Sequence, residues 1–484
     1  PGSPLLTADR WQRLFGEAGL RVTLLDGPAR DRQQVILAEN AGLIRGVLAP
    51  KPKESSQPVP TAISMAPLSL GTNDIVRNCL AEILSIDAAS LERQVPFSDC
   101  GIDSILSVSF VNRLNEKLGI ELNRSSVYDF PNVEKLSAHI DEIGGLSTAL
   151  PTAIEPVHST AFSSSDIAVI GMSLQTPGAA NLDAFWKNLS VRNSGHTLEG
   201  KDLFDPSFFG LTDAEARAMN PHQRLIMLEG WKAFEDAGLN PWDLAGSRSA
   251  IYIGAEPCNW YEGSFTGASD AIIASRLSYL LDLKGPALVI NTGCSSSGTA
   301  IHLACESLRR GEADLALAGG VAASLSEESL GQLRDTEMLS PSKQCRSFAN
   351  DADGMVLSEA VGAVVLKRYD QASADGDRIY GVIKASGMNQ DGASNGITAP
   401  NGKAQESLLT ETWRNFGIEP TSLSHFEVHG TGTLLGDAVE GNALARAFRS
   451  QTSETGFCQL GLSKTTLGHT GVASGVIGLI KLML

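Results

Sequence analysis

A chain of 484 residues exceeds one ordinary hydrophobic core and fits two or three domains, and 42% hydrophobic with 19% charged residues describes neither a disordered nor a membrane-embedded chain. The net charge of −17 speaks against nucleic acid as a partner, because phosphate binding depends on clustered Lys and Arg. Seven scattered cysteines, an odd number with no C-x-x-C pair, speak against a disulfide framework and a zinc site and for a reducing cytoplasm. The opening residues, PGSPLLTADR, lack the charged-then-apolar order of a signal peptide. The most apolar stretch, Gly471 to Leu484, is short and contains Lys481, so it reads as a core helix and no membrane span is expected.

In chain order, residues 1–45 carry a predicted helix with Trp11, Leu14 and Phe15 on one face and Gly19 at its end. Two strand-like runs follow, around Leu20–Leu25 and Val35–Ala38. A helix and two strands cannot close a core of their own, so this piece reads as the tail of an upstream α/β domain. A linker over 46–69, whose stretch from 50 is rich in Pro, Ser, Thr and Ala, leads to a small domain at 70–145; a second linker of that kind fills 146–164.

The small domain reads as helical. Ile75, Val76, Cys79, Leu80, Ile83 and Leu84 repeat at three and four, a second helix carries Val108, Val111, Leu114 and Leu118, and a last one Val133, Leu136 and Ile140 behind an Asn132 cap. The sequence FSDCGIDSILS (97–107) places Ser104 directly after Asp103 at the start of the second helix. On its own, such a pair is a helix cap. With VYDFPNVEKLSAHI (127–140) behind it, the domain resembles acyl carrier proteins along its whole length, and the resemblance implies that Ser104 carries covalent 4′-phosphopantetheine.

From 165 to 484 strands and helices alternate, which predicts an α/β class with layered helices. Candidate strands are Ile167–Ile170, Leu288–Ile290, Leu315–Ala318, Val361–Leu366 and Phe426–Val428; a helix runs from Ala404 to Phe416 with Gly417 beyond its end. The run ALVINTGCSSSGTAIHLACESL (287–308) reads as strand, tight turn and helix, with Gly293 supplying permissive backbone before Cys294. A thiol at a helix N-terminus is expected to have a lowered pKa. HGTGTLLGDAVE (429–440) puts His429 at a strand end, and KTTLGHTGVASG (464–475) puts Lys464 and His469 in a second small-residue turn. His302, inside the helix after Cys294, reads as a core residue or one supporting the site from behind, and His425 stays unassigned.

This order and spacing resemble ketosynthases, together with MNPHQRLIMLEGWKAFEDAGLNP (219–241), LSPSKQCRSFANDADG (339–354), SEAVGAVVLKR (358–368) and NGITAPNGKAQ (395–405). The resemblance covers essentially everything from Asp166 onward and implies a thiolase-like layered fold. It further implies that Cys294 accepts an acyl chain from a carrier thioester, and that His429 and His469 stabilise the enolate left when a malonyl thioester loses carbon dioxide. Lys464 would orient His469 and tune its electrostatics, Glu359 would support the site from behind, and no metal is required. A carrier before a ketosynthase resembles a modular, type I polyketide synthase. The motif style is similar to synthases served by a trans-acting acyltransferase; other modules, a malonyl carrier and a second copy of the chain would be its partners. The N-terminal tail resembles the end of methyltransferases embedded in such synthases.

Departures from the family are Asn291-Thr292-Gly293 where D-T-A is usual, Ser358-Glu359-Ala360 in place of G-E-G, and short segments between Phe185 and Phe204 and around 260–267. The ketosynthase region is expected to be incomplete at its C-terminus, which would leave the oxyanion hole one donor short, and the short segments are expected to mark chain breaks. The alternative to elongation is a non-elongating transfer or gating ketosynthase; a Cys–His hydrolase fails on the two histidine turns.

Overall fold

The computed structural model describes residues 21–26, 34–39, 71–84, 86, 88, 91–97, 100, 102, 104–120, 122, 126–144, 166–189, 196–258, 264–323, 338–394, 396 and 398–484. Near the N-terminus β1 (Arg21–Asp26) and β2 (Gln34–Glu39) pair antiparallel, Arg21 opposite Glu39, which matches the two expected strands to within a residue. The helix expected around Trp11 and both linkers lie outside the described residues, and so do 190–195 and 259–263, parts of the two short segments expected to hold chain breaks.

The chain divides into two compact units, one of which contains the small helical domain. That domain comprises α1 (Thr72–Leu84), α2 (Ser104–Leu118), α3 (Ser126–Asp129) and α4 (Val133–Gly144). The three-and-four spacing of Val76, Cys79 and Leu80 turns one face of α1 inward, onto Phe110 and Leu114 of α2 and Leu136 of α4. Phe97 meets Phe110 edge to face at 5.3 Å. Asn132 caps α4 as expected, its Oδ1 accepting the Lys135 N–H at 2.9 Å. The single turn of α3 was not anticipated, being too short to show a period.

The second unit is built on a six-stranded mixed sheet in the order β5-β4-β6-β7-β3-β8. Its strands are β3 (Ile167–Gln175), β4 (Ser249–Ala255), β5 (Ala287–Ile290), β6 (Leu315–Ala322), β7 (Ala360–Arg368) and β8 (Gly381–Ile383). β4 runs parallel to β5 and β6, while β7 runs antiparallel to β6 and β3. Alternate residues feed two cores. Ile251, Ile253, Leu317, Ala363 and Val365 pack against α5 (Pro221–Asp236) and α6 (Ile272–Leu280). Ala250, Tyr252, Ala318, Val364 and Leu366 pack against α7 (Ser296–Arg309) and, from the C-terminal stretch, α8 (Ser474–Met483). Covered on both faces, the central strands read as continuous apolar runs.

This is also why β4 escaped the sequence reading. SAIYIGA is fully buried and shows no alternation, so neither period distinguishes it. Separately, His425–Glu427 pairs in parallel with Gln459–Gly461, one residue earlier than the expected Phe426–Val428. Among the described residues no helix is long and apolar enough to cross a membrane.

The first turn of α7 is wedged between glycines. A Cβ on Gly254 of β4 would come within 2.5 Å of Ser297 N, one on Gly320 of β6 within 2.7 Å of Ser297 Cβ, and one on Gly475 of α8 within 2.5 Å of Gly298 N. The helix start can approach the sheet this closely only because those side chains are missing. Gly254→Ala is therefore expected to cost about 1–3 kcal/mol, as overpacking of a close-fitted core does. A thermal melt checks it, and an unchanged midpoint would mean that the helix start is not wedged.

Candidate active site

The wedged helix start is where the predicted nucleophile stands. β5 ends at Ile290, Gly293 turns the chain with a φ of +66°, and α7 begins two residues after Cys294. The turn is tied by local bonds: Thr292 N donates to Ser296 Oγ at 2.9 Å, and Gly293 N donates to Asn291 Oδ1 at 3.2 Å. Asn291, one of the departures from the family, thus serves the turn as an acceptor.

Cys294 Sγ lies 3.7 Å from His429 Nε2. The rings of His429 and His469 stand 5.5 Å apart at 89°, and ligand atoms of all three residues fall within 4.8 Å of one another. A Cys–His–His set this compact is one that a thiophilic cation could occupy. The nearby ammonium of Lys464, whose charge is felt by all three, opposes a divalent ion there.

His429 is held by the helix that follows it, Leu434–Arg449. Glu440 accepts the His429 N–H at 2.6 Å and the Gly430 N–H at 2.8 Å. Asp437, one turn earlier on the same helix, accepts from Phe348 N at 2.6 Å and Gly432 N at 3.1 Å. Both acids stand in the HGTGTLLGDAVE stretch (429–440), where the sequence alone gives neither a role. The available signal was their spacing, since residues three apart on a helix share a face. Burial pushes Asp437 up to about 6 and raises Glu440, with the donated amides opposing in both cases.

His469 is fixed through its backbone and its ring. Its N–H donates to Val356 O at 2.6 Å, and Ser358 N donates to its carbonyl at 2.9 Å, so the histidine is clipped to the strand leading into β7. Its Nδ1 accepts the Gly471 N–H at 3.0 Å. A ring nitrogen that accepts is unprotonated, so in the neutral ring the proton is on Nε2. Lys464, expected to orient this ring, acts on it by charge, while the hydrogen bond that sets the ring comes from Gly471.

Burial first, and the Lys464 ammonium second, push His429 down to about 4 and hold His469 well below its ordinary value. Both rings are neutral at neutral pH. Lys464, itself buried, is lowered by that burial against the pull of Glu440 and Cys294.

For Cys294 the expected direction is overturned. Burial raises the thiol above its ordinary value of 9.0, and Lys464 only partly offsets this. Cys294 and His429 are open to solvent on one side. The protein crowding their other sides sets the direction. Alkylation of Cys294 by iodoacetamide is therefore expected to keep accelerating with pH beyond about pH 9, because the thiolate fraction is still growing there. Lys464→Met should slow it at about pH 8, since removing an ammonium disfavours the thiolate. A rate that levels off near neutral pH would contradict this order of effects.

Glu359 is fully buried at the threshold of β7; its carboxylate accepts from Leu198 N at 2.8 Å and from Lys201 Nζ at 2.7 and 3.0 Å. His302 Nδ1 lies 2.9 Å from Ser386 Oγ on the far side of α7, and His425 neighbours Glu427 at 3.9 Å; neither joins the cluster. In the small domain, Ser104 is the first residue of α2.

Residues 191–372 match the family model for the beta-ketoacyl synthase N-terminal domain, 380–484 that for its C-terminal domain, and 74–140 that for the phosphopantetheine attachment site. The chain is 34% identical over 84% of its length to the polyketide synthase PksL of Bacillus subtilis, and 32% identical over its whole length to PksM of the same organism. The chain belongs to the modular polyketide synthases.

It spans about a tenth of its curated relatives, 11% of PksL and 13% of PksM. Its ketosynthase also resembles the ketosynthase from module 6 of the bacillaene synthase of Bacillus subtilis 168, with 43% identity and a TM-score of 0.64. That match covers 66% of this chain and 60% of the solved one. The layered α/β unit is the thiolase-like ketosynthase fold, and the small helical domain is the carrier. A helix terminus is an accessible place for a covalent arm, so the position of Ser104 fits the attachment of 4′-phosphopantetheine, which supplies a thiol for carrying acyl groups as thioesters.

Proposed function

We propose that this chain elongates polyketides, with Cys294 as the nucleophile, His429 and His469 as the enolate-stabilising donors, Lys464 as their electrostatic partner and Ser104 as the attachment point of the carrier. The convergence of one thiol and two perpendicular, neutral imidazoles on one point carries this reading.

In the first step Cys294 Sγ attacks the carbonyl of an acyl-carrier thioester. The sulfur–carbon bond forms and the carrier thiol leaves with a proton. The Cys294 proton goes to the departing carrier sulfur, while His429 Nε2–H, 3.7 Å from Sγ, donates to the developing thiolate and so keeps its proton for the next step. In the second step the bond to the malonyl carboxylate breaks and carbon dioxide departs. The electron pair it leaves spreads onto the thioester oxygen of the extender. Neutral imidazole N–H groups stabilise that charge without having to give up a proton, and Nε2–H of His469 is set for the task by the bond at Nδ1. The enolate carbon then attacks the acyl-cysteine, a carbon–carbon bond forms, and Cys294 leaves as thiolate and is reprotonated. Lys464 favours the thiolate at both ends of the cycle.

The acyl chain arrives on a carrier such as the one bearing Ser104, and the extender on a separate carrier charged by a trans-acting acyltransferase, in the cytoplasm. The sheet ends in β5, whose Leu288 is 49% exposed, and pairing of that edge with a second copy would make the chain a homodimer. The test is release of carbon dioxide from malonyl-carrier together with elongation of an acyl group preloaded on Cys294. Acylation without any decarboxylation would overturn elongation in favour of a transfer-only ketosynthase.

A further inference from the structure

The short segment between Phe185 and Phe204, where this chain departs from the ketosynthase family, supplies a cation to the back of the active site. Lys201 Nζ reaches both carboxylate oxygens of Glu359, at 2.7 and 3.0 Å. Glu359 has no exposed surface, and the Lys201 side chain is 26% exposed, so the pair is drawn well out of solvent. Two further bonds lock the same segment to the same residue. Leu198 N donates to Glu359 Oε2, and Glu359 N donates to His196 O, both at 2.8 Å. The residue immediately before Glu359 is Ser358, whose N–H holds the carbonyl of His469, and two residues earlier Val356 O accepts the His469 N–H. The route from Lys201 to the histidine is therefore one ion pair, the two residues Glu359 and Ser358, and one backbone hydrogen bond. Lys201 also neighbours His222: burial first and its charge second push His222 down to about 4, and the neutral ring accepts the Ala323 N–H at the end of β6.

We propose that Lys201 is a positioning residue for His469, acting through Glu359 and the strand that clips the histidine backbone. The proposal rests on the ketosynthase reading for its kinetic test. With the ammonium gone, buried Glu359 loses the Lys201 cation while keeping its bonds to Leu198 and His196, and residues 356–359 lose one of the anchors that set the height of His469 against Cys294. Misplacement of a reacting group by a fraction of an ångström to an ångström costs on the order of tenfold to a hundredfold in rate.

The test compares Lys201→Met, Lys201→Arg and the double variant Lys201→Met/Glu359→Gln. Acyl loading of Cys294 is read by intact mass, malonyl-carrier decarboxylation by carbon dioxide release, and the ¹⁵N signals of the histidine rings by NMR. The methionine variant is expected to load normally, to decarboxylate at least about tenfold more slowly, and to shift the His469 signals more than those of His429. Arginine should restore both rate and signals, and the double variant should be no slower than the methionine variant, because the two residues act as one unit. Loading and decarboxylation falling together without rescue by arginine would mean general loosening and overturn the proposal. So would unmoved His469 signals. If the unmodified chain neither loads nor decarboxylates, the ketosynthase reading fails instead, and the NMR comparison still decides whether Lys201 positions His469.

Discussion

Replacing Cys294 with alanine is expected to abolish acyl loading while leaving part of the malonyl decarboxylation, and His469→Ala should do the reverse. The asymmetry follows from how the groups are held. The backbone of His429 is held by Glu440, and His469 by Val356, Ser358 and Gly471, so the fold keeps both residues in place without the sulfur, though the His429 ring loses its contact with Cys294. With the thiol gone, the proposed mechanism keeps both donors for a malonyl thioester. In the proposed mechanism, removing His469 deletes a donor aimed at charge that exists only during decarboxylation, a loss on the order of 10²–10³ in rate. It leaves Cys294 in its turn, held by the Gly293 backbone, the bond from Thr292 N to Ser296 Oγ and the bond from Gly293 N to Asn291 Oδ1. Intact mass measures loading, and carbon dioxide release measures decarboxylation. Equal loading by the two variants would show the division of labour to be wrong.

The second large effect lies in the carrier. Ser104→Ala is expected to remove all mass gain on treatment with a phosphopantetheinyl transferase and coenzyme A, while helical content and thermal midpoint stay nearly unchanged. Ser104 opens α2, and the packing of that helix rests on Phe110, Val111 and Leu114, one to three turns further along. Alanine is itself a good helix former, so the variant loses at most a cap, about 1 kcal/mol. Residual modification of the alanine variant would move the attachment to another serine.

Much of this architecture was legible in the sequence because it is local. Helical spacing at Val76, Cys79 and Leu80 found α1, and Gly293 before a small-residue helix found the turn that carries Cys294. What was not legible is set by tertiary neighbours. The direction of the Cys294 shift depends on how much protein surrounds the sulfur, which a helix start alone does not reveal. Asp437 and Glu440 stood in a quoted motif, yet their targets are backbone amides of a turn that exists only once folded. The pairing of Lys201 with Glu359 spans 158 residues, with no spacing rule to suggest it.

The glycine contacts around the first turn of α7 bear on how this catalyst fails when heated. Cys294 precedes a helix start pressed onto β4, β6 and α8, and His469 is hydrogen-bonded to the strand that becomes β7. Neither can drift without prising apart the middle of the sheet, the part of a domain that opens only with global unfolding. Warming should therefore give no intermediate range of intact but idle enzyme: chemistry and sheet should be lost in one cooperative event, and an acyl group occupying the site should delay both together.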